Sequence, residues 1–285
     1  MSSSDSLYLA FENRFRGDAD LISKRLEFYS RFASPVLRYY SQGSALDLGA
    51  GRGEWLQILK RLGFIECGVD LSEEMVKESA RKGLRIFHDD AQAFLSGKEE
   101  CTQLVVSAFH LLEHLTLDSV VDILRQSERV LLPGGVFIAE TPNPDNLSVG
   151  ANKFYIDPTH VKPMPSQLLE FLAYYTGFRI VKIVGLQQPQ HLSAESKVTL
   201  RDVLSNVSPD YGIIAVKDGP GELIDAFSAA FAADHGVTLA SLSDRFDRRI
   251  ESIENSLREV LEVQSRPSWI ASLLRHAYIG LRRTR

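Results

Sequence analysis

Leu46-Asp47-Leu48-Gly49-Ala50-Gly51-Arg52-Gly53 is the stretch that decides the fold. An apolar run over 44–48 leads into it, and a helical pattern over 53–62 leads out. Glycines at a strand-to-helix turn let the chain reverse sharply and bring backbone N–H groups close to a ligand. Their spacing discriminates between ligands. A dinucleotide fingerprint is G-x-G-x-x-G, and here the third glycine position is held by Glu54. The pattern present is D-x-G-x-G-x-G, and an aspartate two residues before the first glycine suits a ligand with an ammonium group.

Working outward, strand patterns at 64–70, 84–88, 103–109 and 136–140 alternate with helical patterns at 72–82, 91–95 and 116–131. Ser72 reads as an N-cap, with Glu73 and Glu74 in the first turn after it. Residues 103–109 form a continuous apolar strand, of the kind buried on both faces. Pro133-Gly134-Gly135 is expected to break the helix before it reaches the next strand. Such βα repeats predict a doubly wound, mostly parallel α/β sheet. A long connection rich in Pro and Asn follows over 141–165, and connections of that length are usually functional. Then come a helix over 166–176 closed by Gly177, a strand over 178–184, a variable stretch over 185–210 and a last strand over 211–216.

Two acids fall at strand ends. Asp70 lies about 20 residues beyond the loop, where a carboxylate accepts ribose hydroxyls. Asp90, after the third strand, is expected to meet an adenine amino group.

Composition narrows the class. The chain has 285 residues, 44% hydrophobic and 24% charged, which is ordinary for a globular protein. Cys67 and Cys101 are too few for a disulfide framework and are read as reduced thiols in a cytoplasmic protein. No leader peptide is expected from the polar start, and no apolar run is long enough to span a bilayer. Charge is uneven: 32 basic residues stand against 37 acidic ones, but after 265 there are five arginines and no acid. The first 265 residues therefore carry a net charge of −10, which argues against nucleic acid as a partner. Leu239, Leu242, Phe246, Ile250, Ile253, Leu257 and Val260 are spaced 3, 4, 4, 3, 4, 3, near the coiled-coil period. Beyond Pro267, residues 269–285 read as a basic amphipathic helix suited to an anionic membrane surface.

With these motifs assembled, the chain resembles the class I S-adenosylmethionine-dependent methyltransferases over roughly residues 40–217. LDLGAGRGEW, GVDLS, HDDA, LVVSAFHLLEHL and LLPGGVFIAETP come in that family's order. The resemblance implies a Rossmann-like seven-stranded sheet and S-adenosylmethionine as cofactor. It places Asp47, Gly49, Ala50, Gly51 and Gly53 around the methionine part, Asp70 and Leu71 at the ribose, Asp90 and Ala91 at the adenine, and Phe109 with His110 at the floor. YLAFENRFRG (8–17) and TPNPDNLS through FYIDPTH (141–160) resemble methyltransferases of bacterial surface-polysaccharide synthesis. That implies a sugar hydroxyl, or a terminal phosphate, on a glycan or lipid-linked glycan as acceptor, with methylation capping the chain.

The expected organisation is an N-terminal helical lid (1–40) and a cofactor-binding domain (41–218). A helical, coiled-coil segment (222–264) and the basic helix (266–285) complete it. Tyr8 and Arg16 in the lid are expected to touch the cofactor, the arginine by pairing its carboxylate. The C-terminal helices are expected to set a homo-oligomer or dock a glycosyltransferase, and the basic helix to hold the enzyme peripherally at the inner membrane.

A sugar hydroxyl needs a base, which contributes about 10²–10⁴-fold. His160 or His110 is the candidate, with Glu113 orienting it. His110, Glu113, His114 and His160 also form a candidate set for a divalent ion, since some 2′-O- and quinone O-methyltransferases that resemble this region bind one. The leading expectation is no metal. The rival acceptor is a small or quinone-like molecule, and a rival role is a cofactor-binding scaffold of a polysaccharide assembly complex.

Overall fold

The computed structural model describes residues 19–192 and 197–265. Tyr8 and Arg16, and the basic helix expected at 266–285, lie outside the described residues.

Seven strands form one sheet: β1 (Ser44–Leu48), β2 (Ile65–Asp70), β3 (Ile86–His88), β4 (Gln103–Phe109), β5 (Leu131–Pro142), β6 (Ile180–Leu186) and β7 (Asp210–Val216). Their order is β3-β2-β1-β4-β5-β7-β6. Pairings from β3 through β5 are parallel, and β7 runs antiparallel between β5 and β6. Order reverses between β1 and β4, so the crevice beyond their C-terminal ends is where this architecture binds ligands.

Both faces are covered. One face buries Leu46, Val106, Phe137 and Ile213 beneath α6 (Leu117–Val130) and α8 (Ser166–Tyr175). The other buries Ala45, Val105, Ile138 and Ile214 beneath α2 (Ser30–Tyr40) and α3 (Glu54–Leu62). Strands sealed on both sides are apolar throughout rather than alternating, which is why 103–109 is readable as a central strand.

Three features differ from expectation. Strand β5 begins at Leu131, directly after α6, and includes Pro133-Gly134-Gly135. Leu131 pairs with Gln103 and Val136 with Val105, so a bulge takes up the intervening residues. Gly134 sits there at φ +74°, a conformation that glycine tolerates. The connection over 141–165 is not bare loop. It holds α7 (Leu147–Ala151), capped by Asn146, and a 3-10 turn, Lys153–Ile156.

The third difference concerns the flanking segments, which are built into the body. The described part of the N-terminal region, α1 (Ala19–Leu26), a 3-10 turn (Glu27–Tyr29) and α2, buries Tyr29, Phe32 and Val36 in the core. After β7, α10 (Gly221–Asp225) and α11 (Ser228–Ala232) follow, and Leu223 and Phe227 enter the same core. The long α12 (Leu239–Ser265) divides along its length. Leu242 is buried in a small third cluster with Val198 and Val207, and Phe246 packs against it. From Ile250 onward the stripe is exposed.

Candidate active site

The glycine loop turns through three left-handed residues, Gly49 (φ +68°), Gly51 (φ +53°) and Gly53 (φ +80°). A Cβ on Gly53 would fall 2.4 Å from Leu84 Cδ1 and 2.9 Å from the buried Ser79 Oγ. Glycine is needed there for space as well as for φ. The N–H groups of Gly49 and Ala50 donate to the Val69 carbonyl, at 2.9 and 3.0 Å. Gly51 N–H donates to Asp70 Oδ2 (2.8 Å), and Ser72 N–H donates to Asp70 Oδ1 (2.8 Å). Asp70 thus clamps the loop to the start of the next helix. A carboxylate offers about four acceptor positions, so capacity remains for ligand hydroxyls.

Asp47 is buried beneath the loop and accepts the Ser107 hydroxyl at 2.6 Å. Asp90 caps α5 (Ala91–Ser96) by accepting Ala93 N–H at 2.9 Å. Leu71 is 69% exposed beside Asp70, an apolar surface at the crevice edge. Phe109 packs edge-on against Tyr29 and Trp55. The candidates along β1, β2 and β4 therefore share one end of the sheet.

His110 follows Phe109 with a left-handed backbone, φ +51°, which costs a non-glycine residue about 1–3 kcal/mol. Its N–H donates to the Glu140 carbonyl at 2.8 Å. The ring is engaged at both nitrogens, Nδ1 with Glu113 Oε1 (3.1 Å) and Nε2 with Glu140 Oε1 (3.2 Å). Glu113 is fully buried and also accepts the Thr141 hydroxyl at 3.0 Å. Glu140 accepts the buried Tyr29 hydroxyl at 2.7 Å and the Gln187 amide at 3.2 Å.

Burial works against charge on His110, but its bonds to Glu113 and Glu140 outweigh it and hold its pKa well above the ordinary histidine value. The ring is 47% exposed, so solvent screens part of this interaction. Glu113 is correspondingly lowered: burial pushes it up, and His110 more than reverses this. Asp210 at the start of β7 is pushed up to about 6 by burial, which prevails over the pull of His110, with the charges of Glu140 and Glu113 pushing the same way. In its protonated form the ring donates to both carboxylates and has no lone pair with which to act as a base.

His160 has a different setting. Its Nδ1 lies 2.6 Å from the Phe154 carbonyl, which only accepts, so Nδ1 carries the proton and Nε2 the lone pair. His114 Nδ1 meets Thr159 Oγ1 at 2.9 Å, and that hydroxyl donates onward to Asp157 (2.6 Å). The lone pair of neutral His114 is therefore also on Nε2. Burial lowers the His114 pKa and keeps it neutral. The two rings stack edge-on, with centroids 4.7 Å apart.

The four candidate metal ligands do not close on one point. Among the described residues, Glu113, His114 and His160 form one set and His110, Glu140 and Asp210 another, each with ligand atoms within 4.8 Å of one another. The first set pairs two imidazoles with a carboxylate, a donor set of the kind a nitrogen-preferring divalent ion takes. Tyr29, Gln187 and Asp210 lie in no motif quoted from the sequence, and Glu140 lies in LLPGGVFIAETP without having been singled out. The one available signal was an acid, Glu140, ending an otherwise apolar strand.

A profile of the methyltransferase domain family matches residues 19–183, more than half of the chain. The chain belongs to this family. It is similar to a SAM-dependent methyltransferase from Archaeoglobus fulgidus, with 30% identity over 74% of this chain and 99% of that one, at a TM-score of 0.64. A Thermotoga maritima SAM-dependent methyltransferase, described as a possible histamine N-methyltransferase, is 17% identical over 73% of this chain and 98% of that one. Its TM-score of 0.51 adds support for the fold alone. No functionally curated protein matches the sequence. The methyltransferase is thus of the S-adenosylmethionine-dependent class, built on a Rossmann-like sheet. Among its described residues no helix is long and apolar enough to cross a membrane.

Proposed function

We propose that this methyltransferase transfers a methyl group to a sugar hydroxyl of a bacterial surface glycan or its lipid-linked precursor. The observation that carries this reading is a cavity of about 340 Å³ between α1 and the ends of β5 and β6. Glu140, Gln187, Gln188 and His235 contribute to its lining. The carboxylate and two amides supply acceptors and donors for the hydroxyls of a sugar ring, and Phe28 and Leu186 supply apolar surface for its face. The cavity reaches the His110 cluster through Glu140, which belongs to both.

The loop residues fit the cofactor. Asp47, Gly49, Ala50, Gly51 and Gly53 would hold its methionine part, Asp70 and Leu71 its ribose, Asp90 and Ala91 its adenine, and Phe109 would close the floor. S-adenosylmethionine, when bound, supplies an electrophilic methyl group. The chain aligns the acceptor oxygen, which is worth up to roughly 7–11 kcal/mol in favourable cases. His160, through Nε2, is the proposed proton acceptor. His110, positioned by Glu113, acts as a fixed cation that orients Glu140 at the cavity wall.

The exposed part of α12 is proposed to serve self-association or docking of a glycosyltransferase, and the basic segment 266–285 peripheral membrane binding. The experiment is mass spectrometry of surface glycans from cells with and without the protein. Loss of a methyl group at the non-reducing end supports the reading and its chain-capping form. An unchanged glycan overturns it.

A further inference from the structure

The same cavity carries opposite charge on two of its walls. Lys24 and Arg25 line it from α1, and Glu140 lines it from the end of β5. Helix α1 runs through the 3-10 turn into α2 with helical backbone at the junctions, so the two cations do not serve a free helix end. Neither makes an ion pair or hydrogen bond with another described residue. The acid lining the same cavity has other partners: Glu140 bonds Tyr29, His110 and Gln187. The first 265 residues carry ten more negative than positive charges. Arg25 acts through space on Asp210, but neither cation is locked in an ion pair or hydrogen bond with a described acid, and both line the cavity wall.

We propose that the acceptor bound here is an anionic sugar, with a phosphate or carboxylate substituent seated against Lys24 and Arg25 and its hydroxyls turned toward Glu140 and Gln187. This rests on the glycan reading above and adds its substrate class. The anion is a handle, not the atom that is methylated. Arginine offers a planar pair of donors matched to either oxyanion, and lysine adds a point charge. Glu140 repels the same anion, so the ring enters one way round. Together the two walls would select both for charge and for the hydroxyl presented.

The test is calorimetric titration of the full chain, saturated with S-adenosylhomocysteine, using four probes. These are glucose 1-phosphate, glucuronic acid, methyl glucoside and inorganic phosphate. One or both charged sugars are expected to bind about tenfold more tightly than methyl glucoside, and to weaken with added salt. Lys24→Ala and Arg25→Ala should each remove most of that advantage, and Arg25→Lys should keep part of it. The better of the two charged sugars identifies the anion. Equal binding of methyl glucoside overturns the inference and leaves the glycan reading standing. So does charged-sugar binding that neither alanine variant weakens. Inorganic phosphate binding as tightly as the sugar phosphate overturns it too, since the ring would then make no contact. If no sugar binds at millimolar concentration, the inference falls. If a water-soluble quinone analogue then binds, the glycan reading falls with it.

Discussion

Asp70 joins two jobs in one side chain, since its oxygens hold the N–H groups of Gly51 and Ser72. Asp70→Asn turns one acceptor into a donor that faces an N–H. We expect a loss of about 1–3 kcal/mol of stability, the cost of an unsatisfied group, and at least tenfold weaker cofactor binding by calorimetry. Gly53→Ala meets Leu84 and Ser79 and keeps an unfavourable φ. A loss of roughly 1–3 kcal/mol should appear as a lower melting temperature, with loosened cofactor binding. The buried acids add a pH dependence. Asp210, raised to about 6, resists ionisation in the fold, so its cost is absent below its unfolded value near pH 4 and complete above about pH 7. The raised His110 acts in the same direction: its stabilisation is full below about pH 6.5 and fades as pH climbs through its folded value. Asp210→Asn should therefore gain melting temperature relative to the unchanged protein between pH 4 and 7. A flat difference across that range would refute the assignment.

At the scale of elements, sequence patterns succeed where one local rule governs. Ser72 accepts Met75 N–H as the cap of its helix, and Gly177 closes α8 at φ +113°. They fail where partners decide. Pro133-Gly134-Gly135 punctuates a helix pattern, yet Leu131 is already in the sheet because Gln103 stands ready to pair with it. In α12 a single periodicity covers two environments. Leu242 is buried, whereas Ile253 and Leu257 are 44% and 57% exposed. Spacing alone carries no mark of where the body ends. Leu257→Glu should leave the melting temperature within about 0.5 kcal/mol of parental stability and abolish concentration-dependent association in sedimentation. A chain that sediments as a monomer at every concentration would show that the stripe does not pair with itself.

For the whole molecule, the grouping of the glycine loop with Asp70 at one sheet end was legible in the sequence, and the grouping around the cavity was not. Asp47, the glycines, Asp70 and Asp90 follow one another along successive strand ends, so chain order alone brings them together. The cavity draws Lys24 from α1, Glu140 from β5 and Gln187 beyond β6, residues far apart in sequence that share no spacing. His110 shows the same limit. The motif puts His110 beside Glu113, and nothing in it shows the second carboxylate, Glu140, thirty positions away, that also bonds the ring. The placement of β7 reaches beyond the finished fold. Among the described residues it is the last strand, but it sits second from the sheet edge, between β5 and β6. During synthesis β5 must wait, with its backbone unpaired on one side, until residue 216 has emerged, and β6 has no place to dock until then. A fragment cut at residue 183, where the family match stops, would keep that bare edge for good and should precipitate by strand-to-strand pairing.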